Sequence, residues 1–218
     1  MDRHINFFEL RKACEKPGCP LCRIVAARAE RYIDNMLFEH VSDRSFRKAH
    51  RLAGGFCGHH SRRLAAFRDG LAVAILGRDI LEDRIVSFGK RKPWRPKERC
   101  PVCVEQDRIE NEYLGFLAGC EGEGADEREL REAFSASEGF CAPHYGKLLE
   151  SFRKIPRWVT VFHEKKFAAL KARVDTFIEL SAYGRQDEFR GLSEGDQLVW
   201  KELALTLRGQ WFEEGAFP

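Results

Sequence analysis

Two short motifs that contain cysteine occur twice in this chain, in the same order. CPLC at residues 19–22 is followed by GFCGHH at residues 55–60, and CPVC at residues 100–103 is followed by GFCAPH at residues 139–144. Between the cysteine pair and the next motif cysteine lie 34 residues in the first copy and 37 in the second. One pattern, CPxC followed by GFCxxH, is therefore repeated, which indicates an internal duplication.

Each copy offers three thiols and one imidazole, which is a common donor set of closed structural zinc sites. We expect each copy to complete its own tetrahedral site, so that the chain binds two zinc ions. His60 is chosen over His59 because His60 aligns with the histidine of the second copy. The predicted ligands are Cys19, Cys22, Cys57 and His60 for the first site, and Cys100, Cys103, Cys141 and His144 for the second.

Two other interpretations of these motifs stay open. Three cysteines and one histidine can also hold an iron–sulfur cluster, in electron transfer or redox sensing. Metal-free buried or redox-active cysteines are the third alternative, although a thioredoxin-type CxxC belongs in a βαβ context that this sequence lacks. Cys14 and Cys120 do not match each other in the repeat, and we expect them to be buried, with a substitute ligand or redox sensor as the alternative.

The motifs fall where helices are expected to begin. Pro20 and Pro101 suit the first helical position, where no N–H hydrogen bond is lost. Free N–H groups and the positive end of the helix dipole favour the thiolate, the form of cysteine that binds metal. Apolar residues then recur every three or four positions, as in the helix expected from residue 158 to 182. Histidines outside the motifs, at positions 4, 40, 50 and 163, are expected on solvated helix faces.

The fold class predicted from these patterns is all-α. It consists of two homologous helical repeats, each organised around a Cys3His site, packed with pseudo-two-fold symmetry and followed by a C-terminal helical extension. The predicted divisions are 1–89 for the first repeat, 90–99 for a basic linker, 100–183 for the second repeat and 184–218 for the C-terminal helix and tail.

The doubled motif, together with the apolar stretch at residues 71–76, resembles a prokaryotic family of domain-of-unknown-function proteins. The resemblance covers roughly residues 13–210. It implies the architecture and supplies no reaction, and residues 183–188 are a loose version of a Tyr/Arg/Asp-rich stretch found in that family.

Charge is unevenly distributed along the chain. Residues 1–100 contain 22 Lys and Arg against 12 Asp and Glu, whereas residues 101–218 contain 15 against 22. The basic half, with its linker, could contact nucleic acid or an acidic surface, including the chain's own acidic half. An unknown protein partner is the leading expectation and nucleic acid the alternative. The candidate contact residues are Arg91, Trp94, Arg95 and Trp211.

No motif of a phosphate-binding loop, zinc protease or serine hydrolase occurs, so we expect an interaction or adaptor protein without catalytic activity. The longest apolar run is too short to span a membrane, and the first residues lack the pattern of a signal peptide. A cytoplasmic location follows as the expectation. In that reducing compartment, eight cysteines indicate metal or redox chemistry and not a disulfide framework.

Overall fold

The computed structural model describes residues 3–67, 69–121 and 123–209. Within these ranges the secondary structure is entirely helical, which confirms the predicted fold class. Among these helices, none combines the length and the hydropathy needed to cross a bilayer. The helices are α1 (Arg3–Cys14), α2 (Pro20–Asn35), α3 (Arg44–Ala53), α4 (Gly58–Leu64), α5 (Gly70–Gly89), α6 (Pro101–Ala118), α7 (Ala125–Ala136), α8 (Ala142–Ser151), α9 (Arg157–Leu180), α10 (Gln186–Arg190), α11 (Glu194–Gln197) and α12 (Val199–Arg208).

Local sequence explains where these helices begin and end. Proline occupies the first position of α2 and of α6, as expected. Asp43 caps α3 by accepting hydrogen bonds from the backbone N–H groups of Ser45, at 2.7 Å, and Phe46, at 2.9 Å. The same helix ends at Gly54, whose φ of 69° lies in the left-handed region that glycine adopts without strain. A single π-helical turn, Met36–His40, extends α2.

The chain divides into two compact units, which differ from the predicted domain boundaries. The continuous unit is Ala27–Ile109, and the split unit combines Met1–Ala26 with Glu110–Pro218. Both divisions fall inside long helices, α2 and α6, so each of these helices contributes its first turns to one unit and its remainder to the other. The basic segment 90–99, predicted as a linker between repeats, belongs to the continuous unit.

The continuous unit packs α3, α4 and α5 with the second half of α2 and the first half of α6. Its buried core is mainly aliphatic and includes Ile33, Met36, Leu76 and Val102, together with Cys100. Two pairs of ionic hydrogen bonds join α3 to α5, from Arg47 to Asp79 and from Arg51 to Asp83. These pairs fix α3 on α5 through residues spaced by one helical turn on both helices.

The split unit has a core rich in aromatic rings. Phe134 makes edge-on contacts with Phe140 at a centroid separation of 5.1 Å and with Trp158 at 5.7 Å. The indole N–H of Trp158 donates to the backbone carbonyl of Cys120 at 3.0 Å. Helix α1 packs on α7, and α12 packs on α8 and α9. Cys14 and Cys120 are buried in this unit, as expected.

Candidate metal centre

The eight predicted ligands assemble into two clusters, but the pairing differs from the prediction. Cluster 1 joins Cys19 and Cys22 of the first copy to Cys141 and His144 of the second. Cluster 2 joins Cys57 and His60 of the first copy to Cys100 and Cys103 of the second. The expectation that each sequence copy completes its own site is therefore wrong.

The course of α2 and α6 explains the exchange. Each CPxC motif stands at the start of a long helix whose first turns lie in one unit and whose later turns lie in the other. The first turn of α2 lies in the split unit, where α8 begins, and the first turn of α6 lies in the continuous unit, where α4 begins. Sequence spacing alone could not distinguish this exchange from the contiguous arrangement.

Helix N-termini present the donor atoms in both clusters. Cys57 is the N-cap of α4 and Cys141 the N-cap of α8, with nearly equal backbone angles, φ of −64° and −68° and ψ of 164° for both. The histidine follows three residues later, on the first turn of the same helix. The repeat of this local geometry matches the repeat of the GFCxxH motif.

The distances between donor atoms fit a single four-coordinate ion in each cluster. With metal–sulfur bonds of about 2.3 Å and a metal–nitrogen bond of about 2.0 Å, a tetrahedron has edges of about 3.8 Å between sulfurs and about 3.5 Å between sulfur and nitrogen. Cys22 Sγ and Cys141 Sγ are 3.7 Å apart, as are Cys57 Sγ and Cys103 Sγ.

The sulfur to imidazole distances agree with the same tetrahedron. The Nδ1 atom of His144 lies 3.2–3.4 Å from the sulfurs of Cys19, Cys22 and Cys141. The Nδ1 atom of His60 lies 3.3–3.5 Å from the three sulfurs of cluster 2. In each cluster all four donor atoms lie within 4.8 Å of one another. Both clusters could therefore hold a metal ion.

The thiols of each cluster impede one another's ionisation. Burial, the negative charge of Cys100 and the hydrogen bond with Cys57 raise the pKa of Cys103 to about 12. Burial would also raise the pKa of Cys57, but hydrogen bonds from the backbone N–H groups of His60 and His59 and from neighbouring thiols lower it. Ionisation of one thiol therefore makes ionisation of its neighbour less favourable, because two thiolates would repel each other. A divalent cation bound between them would relieve this repulsion.

A carboxylate supports the histidine of cluster 1. Glu110 Oε1 lies 3.5 Å from His144 Nε2, the ring atom that faces away from the sulfurs, and Glu110 Oε2 accepts a 2.6 Å hydrogen bond from Lys147. Burial alone would lower the pKa of His144, but hydrogen bonds to Cys141, Cys19 and Glu110 raise it to about 12. Metal-bound histidines commonly have such a carboxylate partner.

The histidine of cluster 2 interacts with a neutral amide side chain. Burial and the neighbouring His59 lower the pKa of His60 to about 4, and hydrogen bonding with the amide of Gln106 opposes this shift. Cluster 2 is also more accessible, since Cys57 and Cys103 are only half-buried whereas all four residues of cluster 1 are buried. The duplicated motifs thus stand in two different environments.

Two further residues contact cluster 1 or the backbone that leads into it. The N–H of Phe140, directly before Cys141, donates to His163 Nε2 at 3.1 Å, and His163 Nδ1 is 2.8 Å from the carbonyl oxygen of Val159. Gly209, with φ of 82°, is so close to the cluster that a β-carbon there would lie 3.5 Å from the sulfurs of Cys22 and Cys141.

Sequence reasoning missed Glu110, Gln106, His163 and Gly209, because none of them belongs to a repeated motif. Gln106 and Glu110 follow Cys103 by only three and seven residues, but nothing in their type or spacing marks them as partners of the histidines. His163 and His50 are buried, so their expected place on solvated helix faces is wrong. His4 and His40 are exposed, as expected.

The predicted contact residues of the basic segment have different environments. Arg91 and Arg95 are exposed, whereas the Trp94 ring is half-buried, packs on Gly54 and carries the guanidinium of Arg84 at 3.8 Å from its centroid. Trp211 lies outside the described residues.

Comparison with known proteins gives a distant relative that is itself described as uncharacterized. The chain is 22% identical over 180 residues to an uncharacterized 23.9 kDa protein from the xynA 3' region of Caldicellulosiruptor sp. (strain Rt8B.4), covering 80% of this chain and 84% of that protein. No protein-family model matches the chain. No solved structure matches it either.

Proposed function

We propose that clusters 1 and 2 are structural zinc sites and that the protein is a non-catalytic interaction or adaptor protein. The observation that carries this proposal is the closed set of four donors in each cluster, with edges of a zinc tetrahedron and no position left for a substrate. All eight cysteines are free of disulfides. Reduced thiols are needed for metal binding, and this requirement suits the cytoplasm, where we place the protein.

The compactness of the clusters favours one ion over an iron–sulfur cluster. In a [4Fe–4S] cluster each iron takes its own protein ligand, so the donor atoms stand apart around the inorganic core. Here the four donors of each cluster surround a space of single-ion size, since all lie within 4.8 Å of one another. An iron–sulfur protein in electron transfer or redox sensing remains the alternative that the experiment below must exclude.

An exposed apolar face on α5 supports the interaction role. Leu81, Ile85 and Phe88 follow one another at helical spacing and are 59%, 60% and 64% exposed. The opposite face of the same helix contains the buried residues Leu76 and Asp79. A helix with apolar residues on both faces has one face that its own unit does not cover, and such a face suits a protein partner.

Metal analysis of the anaerobically purified full chain tests the proposal. We expect two zinc ions per chain and no visible absorption, because zinc has a filled d shell. Removal of the metal with a chelator should unfold the protein, since structural zinc binding is folding free energy. Iron with acid-labile sulfide, or a folded protein with one metal ion or none, would refute the proposal.

The interaction role has a separate test. The triple variant Leu81→Gln, Ile85→Gln and Phe88→Gln should keep both metal ions and the wild-type melting temperature, because these side chains are exposed. It should lose the protein partner that the wild-type chain retains in affinity purification from its host. Equal partner recovery by both proteins would remove the α5 face from consideration.

A further inference from the structure

A strongly basic groove lies in the continuous unit, and none of the residues that line it is a metal ligand. One wall is α3, the other is the second half of α5 together with the segment 90–97, and the volume of the groove is about 700 Å³. Two aspartates are the acidic residues of its lining. The eight basic lining residues are Arg44, Arg47, Lys48, Arg51, Lys90, Lys92, Arg95 and Lys97.

The two aspartates neutralise only two of these cations. Asp79 binds Arg47 through both carboxylate oxygens, at 2.7 and 2.6 Å, and Asp83 binds Arg51 in the same way. The other six basic side chains are exposed and have no ion pair within the described part of the chain. They stand on both walls, with Arg44 and Lys48 on α3 and the remaining four at and after the end of α5.

The segment that forms the second wall is attached to the unit. The N–H of Lys97 donates to the Leu52 carbonyl oxygen at 2.8 Å, at the end of α3. Ser87 Oγ donates to the Lys92 carbonyl oxygen at 2.7 Å. Trp94 is fixed between Gly54 and Arg84. These contacts hold the basic side chains of the segment opposite those of α3, so the cations converge on one groove.

We propose that this groove binds the phosphodiester backbone of a single-stranded nucleic acid. Several unpaired cations distributed along two walls match a ligand with repeated negative charges, whereas one phosphate would engage only a few of them. Four of the six are lysines, which contact phosphates as point charges without the planar geometry needed for selective bidentate binding. The Trp94 ring is already covered by Arg84, so base stacking contributes little and the binding is independent of sequence.

This inference goes beyond the interaction role proposed above, because it names a second surface and a different class of ligand. It depends on the fold of the continuous unit and not on which metal occupies the clusters. Metal content and nucleic-acid binding are therefore measured on the same samples, so that a failure of one can be told from a failure of the other.

The test is fluorescence anisotropy of the full, metal-loaded chain with a labelled oligouridylate of about 20 nucleotides, between about 50 and 200 mM salt. We expect binding that weakens steeply with salt. The variant Lys48→Gln, Lys92→Gln and Lys97→Gln should weaken binding at least about tenfold and reduce the slope of log K against log salt by about 2, because each phosphate contact on a single strand contributes about 0.7.

A matched variant controls for net charge. Lys16→Gln, Lys154→Gln and Lys165→Gln remove the same charge from exposed positions of the split unit and should leave affinity and salt slope unchanged. Replacing Lys48, Lys92 and Lys97 by arginine should preserve binding, which separates charge from folding effects. Equal weakening by the two glutamine variants, or no binding at about 50 mM salt, would overturn the proposal. Tighter binding of polyglutamate than of the oligonucleotide would overturn it in favour of an acidic protein.

Discussion

At the scale of single residues, Glu110 and His163 support cluster 1, although neither is one of its predicted ligands. Both lie far along the chain from the residues that they contact at or beside this cluster. Glu110 faces the outer nitrogen of His144, and His163 holds the peptide N–H directly before Cys141. Neither belongs to a motif, and their types are common on helices. The sequence could therefore predict the ligands but not the groups that orient them.

Glu110→Gln should weaken metal binding at cluster 1 about 10–100-fold, the usual effect of losing a carboxylate partner of a metal-bound histidine. The reason is that the glutamine side chain can still contact the His144 ring but carries no negative charge. Competition with a chromophoric chelator measures the affinity of each of the two sites. Glu150→Gln, an exposed substitution in the same unit, serves as the control and should change neither site. Unchanged affinity in the Glu110 variant would show that the carboxylate is only a partner for Lys147.

His163 should make the split unit sensitive to mild acid. Burial lowers its pKa from 6.5 to about 4, and its acceptor bond from Phe140 requires the neutral ring. Above pH 6.5 both folded and unfolded chains carry neutral imidazole, so this residue adds no pH dependence there. Between pH 6.5 and about 4 only the unfolded chain gains the proton, so stability falls by on the order of 3 kcal/mol.

The variant His163→Gln tests this assignment because glutamine does not titrate. Denaturant unfolding with excess zinc, followed from pH 7 to pH 5, should show a smaller loss of stability in the variant than in the wild-type chain. Since acid also weakens the metal ligands of both proteins, the difference between the two pH profiles is the quantity to compare. Parallel profiles would contradict the role given to His163.

At the scale of the helices, sequence patterns predicted a great deal. The CPxC motifs begin α2 and α6, the CxxH motifs begin α4 and α8, and the expected helix at 158–182 is α9, Arg157–Leu180. These features are local, because proline placement, capping and helical periodicity act within a few residues. The pairing of helix ends is not local, and both pairings of the duplicated motifs satisfy the same local rules.

The exchanged pairing predicts a distinctive pattern of thiol protection. In Cys141→Ser, cluster 1 loses a ligand, so Cys19 and Cys22 should react with an alkylating reagent while Cys100 and Cys103 stay protected. The contiguous pairing requires the reverse result. Peptide mapping by mass spectrometry identifies the modified residues, and Cys57→Ser is the reciprocal experiment, which should expose Cys100 and Cys103.

At the scale of the whole chain, the two compact units do not coincide with the two sequence repeats. The continuous unit carries cluster 2 and the basic groove, and the split unit carries cluster 1 with its carboxylate and the C-terminal helices. Residue counts alone show that the first half of the chain is basic and the second half is acidic. It could not predict that the basic segment 90–97 and α3 line one groove, because that placement depends on tertiary contacts such as those of Lys97 and Trp94.

The insertion of one unit within the other also sets an order of assembly on the ribosome. Chains emerge from the N-terminus, so Cys57, His60, Cys100 and Cys103 are all available before Cys141 and His144 have been made. Cluster 2 closes the segment 61–99, whereas cluster 1 must close the segment 23–140, about three times as long, at an extra entropic cost of about 1 kcal/mol. Until residues 141–144 have been synthesised, Cys19 and Cys22 lack the other two ligands of cluster 1. In nascent chains, the first two motif cysteines are therefore more susceptible to oxidation or to binding of another metal than in the folded protein.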